Sequence, residues 1–503
     1  MQILIIGLFV ALYLHDSTTQ MIVSMADGGT RDVEALPGDC WPFLGFWPVL
    51  ALVLLPKLLL AVSYQLACMR TRRRLGTDGG QRSMRRLEAF TSILPIMLLM
   101  LFASDLALGG LRELRIVLRH TLLIDELLIL LPTLATAALA WWSYYPIDRR
   151  LREALIFRLA DAGKPVYPLQ TRGQYLSQQM RHQLVLLLPM LAVFTWAEAL
   201  ALLGPDHHHL LSAQAVALLT PVGVLGVFLL SPLSIRYIWH TTALAPGEVR
   251  SRMTSLCEQH RVRVRELLVW RTGGGLVNAA VTGLIRQLRY ILLSDGLLDQ
   301  VTPRQVEAVM AHEIAHIKLH HMIWMALVLI TSLGILETSA SIFLVELLLP
   351  ALGNEYSATI LETIGIDLYD PQTQGLISSV PAFAITFFVF GWVSRRIERQ
   401  ADVFAARHLA QTREQPQVDD LGKPVFDDDS VETMVAALQR VADLNHAPVN
   451  RKSWRHGSIA WRQEHLRSLV GTPLDASPVD AVMSRVKIAT LIALAALILA
   501  YLV

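Results

Sequence analysis

Charge is scarce in this sequence. Only 17% of its 503 residues are charged, against about 25% in soluble globular proteins. Cysteine is scarcer still. Cys40, Cys68 and Cys257 stand far apart, which excludes a disulfide framework and any paired-cysteine metal site. There is no Gly-rich phosphate loop and no nucleic-acid motif, so no nucleic-acid partner is expected. The apolar stretch 2–14 lacks the basic lead and small-residue cleavage site of a signal peptide, and reads as a short first span. The net charge of +2 says nothing about partners.

What is abundant is apolar surface. Hydrophobic residues reach 53% and the mean hydropathy is +0.44. Crossing a bilayer as a helix takes roughly 20 apolar residues. Stretches near 43–68, 87–109, 122–145, 183–203, 210–231, 322–351, 377–396 and 486–503 qualify. Several contain proline (Pro56, Pro95, Pro132, Pro189, Pro221), which membrane helices tolerate when neighbours satisfy the freed backbone groups. The expected organisation is a multi-spanning region over 1–240, a polar domain over 241–485 interrupted by spans near 322–351 and 377–396, and a last helix over 486–503. The acidic stretch 411–431 reads as a mobile surface loop. Loops carrying Arg70, Arg72, Arg73, Arg74, Arg82, Arg85 and Arg86, and later Arg149, Arg150, Arg152, Arg158, Lys164, Arg172 and Arg181, are expected on the cytoplasmic side. The 15–41 and 352–376 loops are nearly free of Lys and Arg and are expected outside. Arg112, Arg115 and Arg119 argue weakly against this scheme. Counting onward puts the polar domain in the cytoplasm.

Residues 312–316 read His-Glu-Ile-Ala-His within a run of helical spacing. His312 and His316 are then i and i+4 on one face, where two imidazoles chelate one zinc ion. Glu313 reaches an attacking water as general base. The pattern also recurs by chance, and two histidines on a core helix are equally read as packing residues. A hydrolytic zinc site takes a third protein ligand and one open position. Glu398 and Asp402, again i and i+4, are candidates for that ligand and for the group holding a ligand histidine by its other nitrogen. The alternative is a solvated helix, given Arg395, Arg396 and Arg399. Two expected spans separate the segments, and an even number returns Glu398 to the side of His312. His320 shares the His316 helical face but lies a further turn away. The run His207–His209 reads as a solvated turn. Asp105, Asp125 and Glu198 are intramembrane acids without an assigned role.

The combination resembles the membrane zinc metalloproteases that include CAAX prenyl endopeptidases and HtpX-like proteases. Leu292-Leu-Ser-Asp-Gly-Leu-Leu is similar to the strand and turn before that family's zinc helix. Ala311-His-Glu-Ile-Ala-His-Ile-Lys-Leu-His-His is similar to the helix itself, with His321 five residues past the second ligand. Arg395-Arg-Ile-Glu-Arg-Gln-Ala-Asp is similar to the segment with the glutamate ligand. His456-Gly-Ser-Ile-Ala-Trp-Arg462 resembles a later basic element near the active site. Ala315 stands where the family usually has glycine, and Gly457 where it has proline. The likeness covers roughly 240–470. It further implies that Val277–Gly283 is an edge strand pairing with extended substrate, so Asn278, Ala279 and Ala280 are expected to bind it.

The sequence therefore predicts a mainly α protein: a polytopic transmembrane bundle carrying a cytoplasmic zincin-like metalloprotease domain with a small β-sheet. The expected function is zinc-dependent endopeptidase activity with one Zn2+ per chain. Its ligands are His312, His316 and Glu398. Glu313, His456 and Arg462 are catalytic and Asp402 supports a ligand. The expected partners are the bilayer and a peptide or protein substrate, itself membrane-associated, in protein quality control or processing. The competing readings are a membrane sensor that cleaves a single regulatory partner, and a non-catalytic scaffold or transporter.

Overall fold

The apolar runs fold as long helices. The computed structural model describes residues 46–107, 122–348 and 371–502, except positions 78, 162, 164–165, 167, 206–207, 275 and 446, together with 4–5, 7–8 and 11–12. The expected 2–14 span is described only at those last six positions. The 15–41 loop, the Arg112–Arg119 segment, His207, and the 352–376 loop up to residue 370 lie outside the described residues. By contacts the chain forms two units, 1–239 and 240–503.

The first unit contains α1 (Phe46–Arg74), α2 (Gly80–Ala107), α3 (Ile124–Asp161), α4 (Arg172–Leu203) and α5 (Ala213–Ile238). These helices outrun their apolar stretches because polar, arginine-bearing ends continue them. Helix α1, for example, closes on Arg72, Arg73 and Arg74, cations that suit the negative end of the helix dipole. Prolines are kept inside every one of the five. Tyr64, Leu98, Phe102, Ile129, Leu187 and Leu191 belong to one buried cluster. Leu52, Leu55, Leu58 and Leu59 of α1 stay exposed, as lipid-facing side chains do.

The second unit begins with β1 (Thr241–Ala243), α6 (Glu248–Gln259), β2 (Glu266–Trp270), β3 (Ala279–Thr282) and β4 (Tyr290–Ser294). Helices α7 (Asp295–Gln300), α8 (Pro303–Lys318), α9 (His321–Ile342) and α10 (Pro371–Gln411) follow. The unit closes with α11 (Asp428–Leu444), α12 (Ile459–Arg467) and α13 (Pro478–Leu502). The sheet order is β1-β2-β4-β3. Strand β2 runs parallel to β4, while β1 and β3 pair antiparallel to their neighbours. Central β4 is apolar up to Ser294 and buried throughout; β3 is an edge. One core lies between the sheet and α8, around Ile291, Leu293, Leu297, Met310 and Ile314. Another joins α8, α10 and α11 around Ala311, Ile397, Val403, Phe426 and Met434.

Among the described residues, seven helices are long and apolar enough to cross a membrane: α1 to α5, α9 and α13. The stretch 377–396 lies within the 41-residue α10. The 411–431 segment is ordered, not the mobile loop its composition suggests. Asp419 accepts from the amides of Leu421 and Lys423 and closes a turn. Phe426 is fully buried, and Asp427 caps α11 through Ser430. A single buried aromatic and two side-chain-closed turns outweigh the acidic composition.

Candidate metal centre

Helix α8 starts where Thr302 accepts from the amide of Gln305 and Pro303 fills the first turn, a position that needs no donor. Its apolar face is buried, including Ala311, Ile314 and Ala315. His312 and His316 therefore sit on a fixed helix with their rings edge to face. Helix α10 passes beside it and presents Glu398 and Asp402 one turn apart. The sequence-expected donors come together: ligand atoms of His312, His316 and Glu398 all lie within 4.8 Å of one another.

Two separations can be compared with an ion. Nε2 of His312 is 3.3 Å from Nε2 of His316 and 3.6 Å from Oε2 of Glu398. A tetrahedral zinc with bonds of ~2.0–2.2 Å needs donors roughly 3.3–3.6 Å apart. The donor set fits.

The surroundings hold these donors. Asp402, fully buried, lies 3.0 Å from Nδ1 of His312. It accepts from Arg462 Nε at 2.7 Å and Nη2 at 2.5 Å, while Nη1 of Arg462 is 3.3 Å from Glu398 Oε2. His456 Nδ1 lies 2.9 Å from Glu398 Oε1. On the other ligand, His316 Nδ1 meets His321 Nδ1 at 3.0 Å. His321 meets Gln400 at 3.1 Å, and Gln400 donates to Asp480 at 2.6 Å. His320 does not extend the His316 face. The α8 helix ends at Lys318, and His320 takes a left-handed turn (φ +56°) that hands the chain to α9.

Electrostatics here favour a shared positive charge. Burial opposes a charged His312, yet Asp402 and Glu398 outweigh it and push its pKa up to about 10. Burial and the neighbouring His312 push His316 down to about 3. Burial pushes the Glu313 carboxyl up to about 7, close to neutrality, as suits a base. Burial would also raise Asp402 and Glu398. Arg462 and His312 pull Asp402 down instead, and His312, His456 and Arg462 pull Glu398 well below the usual carboxylate range.

The edge strand borders the same cleft, which has a volume of about 840 Å³ and includes Asn278, Ala279, Ala280, Glu313, His456 and Arg462 in its lining. Asn278 faces inward to the sheet through its main chain, donating to Ser294 Oγ and accepting from the Ser294 amide. By the alternation of an antiparallel pair, Ala280 also faces β4, while Ala279 and Val281 turn their main-chain groups outward. The Val281 amide donates to Glu313 Oε2 at 3.1 Å.

Three further residues shape the site; of these only Asp295 lies in an element the sequence singles out, Leu292–Leu298. Asp295 gathers the amides of Thr272, Gly273 and Gly274, fixing the turn into β3. Asn445 makes a pair of hydrogen bonds with the main chain of Val277. Trp454 stacks on Phe387, with ring centroids 3.9 Å apart. Gly457 adopts φ +74°; proline, fixed near −65°, could not stand there without reshaping the turn. Elsewhere, in the first unit, Asp105 pairs with Lys57, and Asp125, Glu126 and Glu198 bring carboxylates together.

Buried His, His and Glu donors thus lie by an edge strand, in a chain whose described residues include seven helices of membrane-spanning length. The model of peptidase family M48 matches residues 248–449. Relatives include a protease HtpX homolog of Albidiferax ferrireducens, 30% identical over 149 residues, which are 30% of this chain and 48% of that protein. Protease HtpX of Haemophilus influenzae is 29% identical over 180 residues, 35% and 52% of the two chains. That of Actinobacillus pleuropneumoniae is 31% identical over 179 residues, 34% and 50%. The chain spans about half the length of the curated relatives it matches. Among solved structures, S. mikatae Ste24p superposes with a TM-score of 0.46 at 16% identity, over 84% of this chain and 99% of that one.

Proposed function

We propose that the protein is a membrane-embedded, zinc-dependent endopeptidase with its active site on the cytoplasmic side. The observation that carries this reading is the buried trio His312, His316 and Glu398 with Glu313 alongside. In it, those three side chains would hold one zinc per chain. When bound, the ion supplies Lewis acidity and lowers the pKa of a water. Glu313 is placed to take a proton from a water attacking the scissile carbonyl and to pass it to the amine released as the C–N bond breaks. Asp402 fixes the ring of His312 through Nδ1, the supporting role a carboxylate plays behind a ligand histidine. Arg462 is committed to the two carboxylates and acts as a positioning residue. His456, about half exposed, is the side chain left to face the developing oxyanion. Extended substrate pairs with the outward groups of Ala279 and the carbonyl of Val281, whose amide serves Glu313, so main-chain recognition leaves sequence choice to the cleft walls.

Cytoplasmic placement rests on the arginine-rich loops, and a role in membrane-protein quality control or processing on the motif resemblance over residues 240–470. The test is Glu313→Gln in the detergent-solubilised chain. It should retain zinc near one per chain and lose cleavage of unfolded or membrane-protein substrates. Zinc far below one per chain in the unaltered protein, or cleavage that survives the substitution, would end this reading.

A further inference from the structure

One flank of the cleft is basic. Arg451, Lys452 and Arg455 line it, all three exposed. Among the described residues none of their side chains makes an ion pair or hydrogen bond. The chain from Leu444 to Gln463 contains no acidic residue. The acids lining the cleft are Glu313 and Glu398, both at the metal donors. The cations thus lack a protein counter-charge at the place where substrate enters.

These three residues also stand on a rigid frame. Asn445 ties the beginning of their loop to Val277, beside the edge strand. Ser453 and Gly457 exchange main-chain hydrogen bonds, and the Ala460 amide donates to Val449. Trp454 is stacked on Phe387, and Arg395 donates to its carbonyl at 2.8 Å. His456 closes the far end on Glu398. Three like charges within five residues repel one another. With their backbone tied down, only side-chain freedom is lost when an anion arrives. The wall facing them is apolar, with Met434, Ala437, Leu438 and Val441 of α11.

We propose that this rim is a specificity site that selects peptides carrying a carboxylate, on a side chain or at the chain end, close to the scissile bond. The proposal rests on the proteolytic reading above. The carboxylate would sit over Arg451, Lys452 and Arg455 while neighbouring apolar side chains lie on α11.

The test uses the full chain in non-ionic detergent with sets of short fluorescent peptides: Asp or Glu against Asn or Gln at matched positions, each with a free or amidated end. Binding is read by anisotropy on the Glu313→Gln variant and cleavage on the unaltered chain. Acidic peptides should bind about fivefold to tenfold tighter at low ionic strength, with the gap closing as salt is raised. In the Arg451→Gln/Lys452→Gln/Arg455→Gln variant, with unchanged zinc content and thermal midpoint, kcat/KM for acidic and neutral peptides should converge. A preference that follows amidation identifies the chain end; one that follows Asp against Asn identifies the side chain. Equal binding and cleavage of every peptide would overturn the proposal and leave the protease reading standing. No cleavage of any peptide by the zinc-loaded chain would overturn both. If the triple variant changes only the response to anionic against zwitterionic lipid in nanodiscs, the rim faces lipid and the proposal fails.

Discussion

The amide of Val281 donates to the carboxylate of Glu313 at 3.1 Å, so the edge strand and the proposed general base are in direct contact. The strand proposed to bind substrate is thereby placed to orient the proposed general base. The Val281 amide points away from β4, so replacing it removes no bond of the sheet, and an edge position tolerates proline. Val281→Pro should keep zinc content and thermal midpoint while lowering kcat about tenfold to a hundredfold, the scale of a misplaced catalytic group. Unchanged kcat in a zinc-replete variant would show that the contact does not orient Glu313.

Arg462 and Asp402 form a buried, two-bond ion pair behind His312. Removing one member leaves the other charged and unsolvated, which costs about 3–5 kcal/mol. Arg462→Met should therefore lower the unfolding midpoint markedly and weaken zinc retention. Arg462→Lys keeps the charge but cannot make both bonds, and should fall between. The double variant Asp402→Asn/Arg462→Met should recover part of the stability and none of the activity. Calorimetry with metal analysis checks the series, and an Arg462→Met midpoint equal to that of the unaltered chain would contradict it.

Zinc held by His312, His316 and Glu398, as proposed, would bind only the folded arrangement and should stabilise the second unit by mass action. Chelation should lower the unfolding midpoint and abolish cleavage, and added zinc should restore both. Magnesium should restore neither, because it prefers oxygen ligands. His316→Ala should abolish the chelator-sensitive part of the midpoint. A midpoint indifferent to chelator in a zinc-loaded sample would argue against a metal at this centre.

A second histidine cluster should contribute to acid stability. His260 meets His408 at 3.0 Å, and His408 meets Glu307 at 3.1 Å. Burial, with His408 and Lys318 nearby, pushes His260 down to about 4. The His408 hydrogen bond, working against burial, holds Glu307 below the usual carboxylate value. Folded His260 stays neutral while the unfolded chain takes up a proton below about 6.5. Its contribution is thus full above that pH and falls away between 6.5 and 4. Glu307 loses its contribution only at still lower pH, below its unfolded value. The midpoint should drop between pH 7.5 and 5, and His260→Gln should flatten that drop. Equal slopes in the two proteins would rule His260 out as the titrating group.

Much of the centre was legible because its signals are local. His312 with His316, and Glu398 with Asp402, are pairs four residues apart, and α-helical geometry alone puts each pair on one face. The long helices were legible from composition, though their ends were not, because arginine-bearing turns such as Arg72–Arg74 extend a helix without extending its apolar run. The fate of His320 was hidden, since a helix that stops at Lys318 carries no breaker there. The support of His316 by His321, Gln400 and Asp480 depends on helices far apart in sequence meeting side by side. Nothing local in 411–431 announces that Phe426 will be buried.

The last prediction tests how the basic loop is held. A Cβ at Gly391 would lie 2.3 Å from Nε1 of Trp454, closer than atoms can pack. The indole cannot yield freely, since it is stacked on both Phe387 and Phe390. Its loop carries His456, which rests on Glu398. Gly391→Ala is therefore a minimal change on an apolar stretch of α10 that should push Trp454 aside and shift His456. Helix propensity itself favours alanine there, so loss of the helix is not the expected route. Cleavage should fall about tenfold with zinc retained, and Trp454→Ala in the same background should recover part of it by opening space. If Gly391→Ala cleaves at the unaltered rate, Trp454 is not what positions His456.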